Sequence, residues 1–306
     1  MKAFLARFAS VLVVASFLLL SPASPCRASG TDDIVAVSAK ASSDYSRERL
    51  ENGTLALESY AFGKGGVWTG SNADASIDKL TFLDVAHAVA YPLADQNYLP
   101  ASDPRAAKLL IMVYWGTTRA PVRAQDSAMN TFLQNAKDQL TIASMAVRVD
   151  ESGNGPLFFQ RRMELTTALD SVEMEKDQRE KVDAANADML GYDSWWERTA
   201  RFQYTGFGLD YSRQDMFDEL ENNRYFVVLM AYDFQLLYKE RKHKLLWETR
   251  FSIRQMHHEF AEDLPAMAHY ASPYFGRDSK GLIHGDVPLG RVDVGAVQSL
   301  GTIPVK

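Results

Sequence analysis

The alternation of apolar and polar residues is clearest between residues 224 and 254, where it predicts two neighbouring β-strands. Alternate positions of the first strand are large and mostly apolar, namely Phe226, Val228, Met230, Tyr232, Phe234 and Leu236. The matching positions of the second strand are Leu245, Trp247, Thr249, Phe251 and Ile253. A period of two is typical of a strand that buries one face. The charged stretch Lys239–Lys244 is predicted to be the loop between them.

A β-α-β unit is predicted nearer the N-terminus. Lys108–Gly116 is apolar at successive positions, which favours a central strand, and Ser59–Gly66 predicts a short strand that ends in a glycine turn. Between them, Thr81 has the spacing of a helix N-cap with Asp84, and apolar residues follow at helical spacing from Phe82 to Leu93. We expect Pro92 to kink or weaken the end of this helix. We expect a right-handed crossover that places both strands in one sheet.

The middle of the chain has a helical texture. Asp126–Val147 carries one apolar stripe, Leu169–Met189 is charged and weakly amphipathic, and Asp215–Asn222 predicts a short third helix. After the strand pair, an apolar stripe that begins at Phe260 predicts a last helix, which ends near Gly276.

These elements predict an α+β fold, with a small mixed β-sheet covered by helices and a helical insertion between the two halves of the sheet. The core domain comprises residues 59–119 and 224–276, and the insertion comprises residues 120–223. Residues 29–58 are polar and rich in Ser and Ala, which predicts a linker, and residues 277–306 are predicted to be an irregular tail.

The N-terminus has the pattern of an export signal. A basic start precedes the apolar stretch Phe8–Leu20, which is shorter than the ~20 residues that a spanning helix needs. We expect residues 1–28 to be a signal peptide that is cleaved after Ala28, with Ala23 as the alternative cleavage position.

Cys26 is the one cysteine of the 306 residues, and it raises the alternative of a lipid anchor. A bacterial lipobox has a large aliphatic residue three positions before the cysteine and a small residue directly before it. Those positions hold Ala23 and Pro25 here, so both depart from the pattern. We expect a periplasmic or secreted protein without a thiol in its mature form, with lipidation at Cys26 as the alternative.

Composition and charge narrow the classes of partner. The net charge is −6, and removal of the signal peptide would take away three basic residues and no acidic one. Nucleic-acid binding rests on neutralisation of phosphates by Lys and Arg, so we expect no nucleic-acid partner. A second long apolar segment does not occur in the sequence, so we expect no transmembrane span in the mature protein.

Three short motifs are candidates for metal binding, phosphate binding or nucleophilic catalysis. His258 and Glu262 have the spacing of two metal ligands on one helix face, next to His257, but zinc needs three or four ligands and a solvated helix start is the alternative. Gly63–Gly70 lacks the Lys-Ser/Thr ending of a phosphate loop, which favours a mobile loop.

Ser76 and Lys79 match a Ser-x-x-Lys motif, but its companion motifs in penicillin-recognising enzymes do not occur in the sequence. We therefore expect no catalytic residue, no metal and no cofactor.

Two segments are candidates for a partner surface. Tyr192–Tyr211 is dense in aromatic residues, which favour binding hot spots, although the same rings could pin a loop to the core. Lys239–Lys244 is a basic tip on an acidic protein, which could touch an anionic surface or simply be solvated. The candidate residues are Tyr192, Trp195, Trp196, Tyr204, Lys239, Arg241 and Lys242.

Three stretches carry a resemblance to a known family: "ESYAFGKG" before a helix, "KLLIMVYWG", and "YFVVLMAYDFQLLYKERKHKLLWETRFSIR" before the last helix. Their pattern and order resemble an uncharacterised family of bacterial secreted proteins and lipoproteins, a domain of unknown function. The resemblance covers residues 59–119 and 224–276. It implies an envelope location and supplies no catalytic residues, and the helical middle departs from the compact family pattern.

The resulting hypothesis is a non-catalytic, exported envelope protein that acts through macromolecular binding, with an envelope protein, a glycan or an anionic surface as the partner. The alternative is an exported hydrolase or transferase that uses carboxylates as acid and base. A small-molecule carrier would require a large apolar cavity, which the sequence does not demand.

Overall fold

The computed structural model describes residues 34–68, 74–122, 126–149, 155–202 and 211–287. The predicted signal peptide with Cys26, and the aromatic candidate Tyr204, lie outside these residues. The described chain forms one seven-stranded mixed sheet with helices packed on both faces, which confirms the predicted α+β class.

The strands are β1 (Ile34–Ala41), β2 (Glu58–Trp68), β3 (Tyr98–Pro100), β4 (Leu109–Thr117), β5 (Arg224–Asp233), β6 (Leu245–Arg254) and β7 (Leu282–Asp286). The helices are α1 (Ala75–Asp78), α2 (Phe82–Asp95), α3 (Ala128–Val149), α4 (Pro156–Leu190), α5 (Asp193–Phe202), α6 (Tyr211–Leu220), α7 (Phe234–Glu240) and α8 (Phe260–Ala271).

The strand order across the sheet is β3-β2-β4-β5-β6-β1-β7. β2 runs parallel to β3 and β4, and the pairs from β4 to β7 are antiparallel. The pair β4–β5 is continuous from Leu109↔Asp233 to Thr117↔Tyr225. The segment α3–α6 therefore leaves the sheet at the end of β4 and returns at the start of the neighbouring β5, as an insertion between adjacent strands must.

The main core lies between one face of the sheet and helices α2 and α8. Inward residues of six strands, β1 to β6, meet the apolar stripes of the two helices. Its largest fully buried side chains include Trp115, Trp247, Tyr60, Tyr98, Phe251 and Phe260. Thr81 caps α2 as its spacing predicts, since its hydroxyl accepts the Asp84 N–H while the Asp84 carboxylate accepts the Thr81 N–H.

The insertion covers the other face of the sheet. Phe226 and Val228 of β5 and Ala36 of β1 pack against a second apolar cluster supplied by the insertion. That cluster comprises Ala187, Leu190, Tyr192 and Leu220. β5 is therefore buried on both faces, whereas the period of two predicted a half-buried pair, because the alternate positions of β5 are apolar on each side.

The linker predicted for residues 29–58 is corrected over its described part. Residues 34–41 form β1, which lies between β6 and β7 and buries Val35 and Val37 in the main core. Small side chains on its other face, at Ala36 and Ser38, made the segment look like a linker. The tail predicted for residues 277–306 is corrected in the same way, because Leu282–Asp286 forms the edge strand β7 against β1.

Two local predictions within the strands are also corrected. The first strand of the pair ends at Asp233, and residues 234–240 form α7, because the Asp233 carboxylate caps a helix by accepting the Leu236 N–H at 2.9 Å. Glycines 63, 65 and 66 belong to β2 rather than to a mobile loop. A Cβ at Gly65 would lie 2.6 Å from the Tyr114 ring, so the glycines leave space for side chains of β4.

The middle of the insertion is a long helical hairpin. α4 has 35 residues, about 52 Å at 1.5 Å per residue, and α3 packs along it. Ser127, which donates to the Glu175 carboxylate, marks the root of this pairing. We call α3 together with residues 156–175 the helical hairpin. The remainder of α4 lies over the sheet and contributes Ala187 and Leu190 to the second core.

A helix that crosses a bilayer must be both long and predominantly apolar. Across residues 34–68, 74–122, 126–149, 155–202 and 211–287, no helix combines sufficient length with sufficient apolar character to cross a membrane.

A candidate binding cleft at the root of the helical hairpin

An open cleft lies where the hairpin meets the sheet, between α4, α5 and α6. One wall is the part of α4 that carries Glu180 and Asp183, and the other holds the rings of Trp196 and Phe217 with the Glu221 side chain. We call these five residues the acidic cleft. Its remaining lining residues are Lys176, Asp177, Arg179, Lys181 and Ala184.

Asn186 fixes the two walls of the cleft relative to each other. It lies three residues after Asp183 on α4, and its side-chain amide donates to the carbonyl oxygens of Arg119, at 2.8 Å, and Leu220, at 3.0 Å. Leu220 directly precedes Glu221. The bond therefore holds the end of α6 against α4 and keeps the Glu221 carboxylate near that of Asp183.

Asp183 is buried without compensation. Its exposure is 3%, and Oδ1 has no hydrogen-bond partner within the described chain. Burial, followed by the negative charge of Glu221, raises the pKa of the carboxyl to about 7, and the opposing effect of Arg179 does not reverse this. A buried polar atom without a partner is rare in folded proteins and costs stability, so its presence requires an explanation.

Two of the three cations that line the cleft, Lys176 and Arg179, have other partners, and the third, Lys181, is exposed. Lys176 pairs with Glu173 at 3.6 Å and with Glu180 at 3.9 Å. Arg179 donates through Nε to the carbonyl oxygen of Val122 at 3.1 Å. The cleft thus has basic residues at its rim, while Asp183 in its wall keeps a raised pKa.

The aromatic side of the cleft is a fixed cluster. The Phe217 ring lies 5.3 Å from Trp195 and 5.9 Å from Trp196, both in edge-to-face geometry. Both tryptophans are half-buried and pack against the second core. Trp196 and Phe217 also line the cleft, so this cluster holds α5 on α6 and presents two aromatic rings to a ligand.

Tyr192 lies beneath the cluster rather than on the surface. It is buried, and its hydroxyl donates to the Glu219 carboxylate at 2.6 Å. Glu219 is also 3.0 Å from His284 of β7. Burial opposes ionisation of Glu219, but hydrogen bonds from His284 and Tyr192 and the charge of Arg224 leave its pKa below the usual value. This network ties α5 and α6 to the sheet.

The helical hairpin exposes large apolar side chains well away from the sheet. Met163 is 65% exposed and Ile142 is 61% exposed. The other exposed large apolar residues of the hairpin are Met129, Phe132, Met145, Leu157, Phe159, Leu169 and Met174. Positions 142 and 163 lie about equally far from the turn between the helices, so the outer part of the hairpin has apolar surface on both of its helices.

The basic candidates lie on α7 and the turn after it, which follow the end of β5, whereas the insertion joins the start of β5. Lys239, Arg241 and Lys242 are exposed. Lys242 pairs with Glu240 at 2.9 Å, and Lys244 of the same turn pairs with Asp44 at 2.9 Å. The structure therefore does not join this basic turn to the aromatic candidates, and part of its charge is neutralised locally.

Ser76 occupies a second, polar cleft at the end of the sheet. Asp74 accepts hydrogen bonds from the Ser76 hydroxyl at 2.7 Å, from Tyr225 at 2.8 Å and from Gln255 at 2.6 Å. These bonds cap α1 and fasten it to β5 and β6. These contacts give Ser76 a structural role in capping α1.

The histidine motif takes a different form from its sequence spacing. His258 precedes α8 instead of sharing a helix face with Glu262, and its Nδ1 lies 2.9 Å from Asp263. Its side chain is buried, which corrects the expectation of a solvated helix start. Within the described residues, no group of three or more His, Cys, Asp or Glu residues is arranged to hold a metal ion.

Comparison of the sequence with protein-family models and with curated proteins finds no match. The resemblance to a family of bacterial secreted proteins and lipoproteins stays a prediction.

Sequence reasoning identified Trp195 and Trp196 but missed Asp183, Glu221 and Phe217. A signal for Asp183 exists, since residues 183, 186, 187 and 190 lie on one face of α4. Asp183 and Asn186 of that face are polar, and the face ends at the apolar Leu190. The charged texture of the helix hid this stripe.

Proposed function

We propose that this protein is an exported, non-catalytic envelope protein that binds another protein through its helical insertion. The observation that carries the proposal is the apolar surface of the helical hairpin. Exposed apolar residues are ordinary when scattered, but a contiguous apolar patch on a monomer is typical of an interaction site. Nine of the 17 exposed large apolar side chains of the described residues lie on the helical hairpin.

The acidic cleft supports the same function from the root of the hairpin. It combines aromatic rings, which are enriched at the centres of protein interfaces, with carboxylates that favour a partner of positive charge. An anionic membrane surface fits this cleft poorly. The N-terminal export pattern and the family resemblance support an envelope location.

Photo-crosslinking in cells of the native host tests the proposal. A benzophenone amino acid replaces Met163 on the hairpin, and in a control variant it replaces Leu83 of α2, which is similarly exposed at 61%. We expect a discrete heterologous protein adduct from position 163 and none from position 83. Equal yields at the two positions, or an adduct with twice the mass of the chain, would contradict the proposal.

Location is tested by the intact mass of the mature protein from that host. A mass that begins at Ser29 without acyl groups supports a soluble exported form. A diacyl or triacyl group on Cys26 supports the lipid-anchored alternative. A mass that retains residues 1–28 would contradict export by signal cleavage.

One observation favours a hydrolase or transferase as a second candidate. A carboxyl with a pKa near 7 beside a second carboxylate has the form of an acid–base pair, and Asp183 and Glu221 meet that description. Turnover of a glycan or ester substrate that disappears in Asp183→Asn would favour this candidate over binding.

A further inference from the structure

We infer that the acidic cleft binds a basic side chain of the partner, with the cation held between the aromatic rings and the carboxylate of Asp183. The inference rests on the proposed binding function and specifies the chemistry of one contact. Its starting point is a buried carboxylate oxygen that the described chain leaves without a hydrogen-bond donor.

The charges of the acidic cleft favour a bound cation. Asp183 is close enough to Glu221 for the second carboxylate to disfavour its ionisation. A cation bound in the cleft would offset the negative charge of both carboxylates. None of the three rim cations donates to Asp183 Oδ1. Lys176 is shared between Glu173 and Glu180, Arg179 donates to the Val122 carbonyl, and Lys181 is exposed.

The aromatic wall of the cleft also favours a cation. Trp196 and Phe217 line the same cleft as Asp183, and their mutual edge-to-face contact at 5.9 Å fixes the rings in place. A cation that lies over an aromatic face is attracted by the ring electrons, most strongly for tryptophan. Arginine fits both walls best, because its planar guanidinium stacks on rings and donates in a fork to carboxylates.

Hydrogen bonds fix the walls of the cleft relative to each other. Asn186 holds Leu220 at 3.0 Å, and thereby sets the position of Glu221. Tyr192 holds Glu219 at 2.6 Å and fastens α5 to α6. The walls are therefore in place before a ligand arrives, which reduces the entropy that binding would otherwise lose.

The experiment compares N-acetyl-arginine amide with N-acetyl-citrulline amide, a neutral isostere. The readout is the indole N–H signal of Trp196 in nitrogen–proton correlation spectra of the full chain, assigned from Trp196→Phe. At pH 8, we expect a saturable shift with the arginine probe and an affinity about tenfold higher than for citrulline, as expected for a charge-assisted contact.

Two variants make the result specific. Asp183→Asn should abolish the preference for arginine and should remain folded, because it removes an uncompensated buried charge. Asp170→Asn makes the same chemical change at an exposed position of α4 outside the cleft, and should keep the preference. Equal shifts with both probes, or an arginine preference that survives Asp183→Asn, would overturn the inference.

The outcome is separable from that of the proposed function. If the arginine preference is absent while position 163 still yields a heterologous adduct, the cation contact is wrong and protein binding stands. If the adduct is absent while the arginine preference depends on Asp183, the cleft binds cations and the hairpin proposal fails.

Discussion

Gly191 lies directly over Ser38, in a contact that sets how closely the insertion approaches the sheet. A Cβ at position 191 would be 2.7 Å from both Cβ and Oγ of Ser38, and 3.0 Å from Cδ of Arg250. Gly191 also ends α4 in the left-handed conformation, with φ of +80°. One glycine therefore terminates the longest helix and lets its end rest on β1, directly before the segment that supplies Trp195 and Trp196.

Gly191→Ala tests this contact. We expect it to lower the free energy of unfolding by about 3 kcal/mol, because a left-handed alanine and an overpacked contact are both unfavourable. Gly53→Ala is the matched control, since Gly53 has φ of +81° with nothing within 4 Å of a Cβ. That variant should lose only about 1 kcal/mol. Urea denaturation measures both, and equal losses would show that the Ser38 contact is unimportant.

The insertion also shows what the sequence could and could not predict. The strands β4, β5 and β6 and the helices α2, α3 and α8 have strong periodic patterns, and all were predicted. β1 was missed because Ala36 and Ser38 are small. The small size of Ser38 allows the close approach of Gly191, which lies about 150 residues later in the sequence. Local pattern does not contain that tertiary reason.

The candidate site was predicted only in part for a similar reason. Trp195 and Trp196 are conspicuous in the sequence, so the aromatic wall was found. Asp183 is one of many charged residues on α4, and only the packing of α6 against that helix distinguishes it from exposed neighbours such as Asp170. Its raised pKa comes first from burial and then from the charge of Glu221, which is distant in sequence and is brought near by Asn186.

A buried charge cluster near the start of β2 gives a second prediction. The Glu58 carboxylate accepts a hydrogen bond from Tyr45 at 2.6 Å and pairs with Lys108 and with Arg47, whose Nε is 3.8 Å away. The Arg47 guanidinium lies 4.0 Å over the Tyr98 ring. Both Glu58 and Arg47 have almost fully buried side chains.

Glu58→Gln should therefore lower the free energy of unfolding by about 3 kcal/mol, because it leaves the buried Arg47 without its carboxylate. Lys108→Gln removes the partner whose side chain is 61% exposed, and should change stability by less than about 1 kcal/mol. Thermal unfolding of the two variants under identical conditions makes the comparison. A larger effect at Lys108 than at Glu58 would refute this interpretation of the cluster.

The glycines of β2 give a third prediction. β2 shifts its register against β4 between Lys64 and Gly66, and the Tyr114 ring fills the space over Gly65, 2.6 Å from where a Cβ would lie. Gly65→Ala should cost about 2 kcal/mol through overpacking. Gly66→Ala, with its nearest contact at 3.8 Å, should cost clearly less. If the ring is the cause, Gly65→Ala made in a Tyr114→Ala background should cost little, and a persistent cost would point to the backbone instead.

The pH dependence of stability tests the state of Asp183. Its pKa in the folded protein is about 7, above the usual value of 3.8, so the folded protein binds an extra proton between these two values. Stability contributed by that proton is present at low pH and is lost as pH rises from about 4 to about 7. The Asp183→Asn variant has no ionisable group at this position, so it does not lose this stability as pH rises. We therefore expect the melting temperature of the variant, relative to the parent protein, to increase progressively between pH 4 and pH 8.

Asp170→Asn controls for the change in net charge, and its melting temperature relative to the parent protein should vary little over the same range. A flat or falling difference for Asp183→Asn would mean that the carboxylate has a compensating partner, and the reason for placing a cation in the cleft would disappear. With the expected result, N-acetyl-arginine amide added at pH 8 should stabilise the parent protein and leave Asp183→Asn unchanged, because only the parent protein gains from binding in its folded form. Ligand binding would then restore the stability that the protein loses when Asp183 ionises.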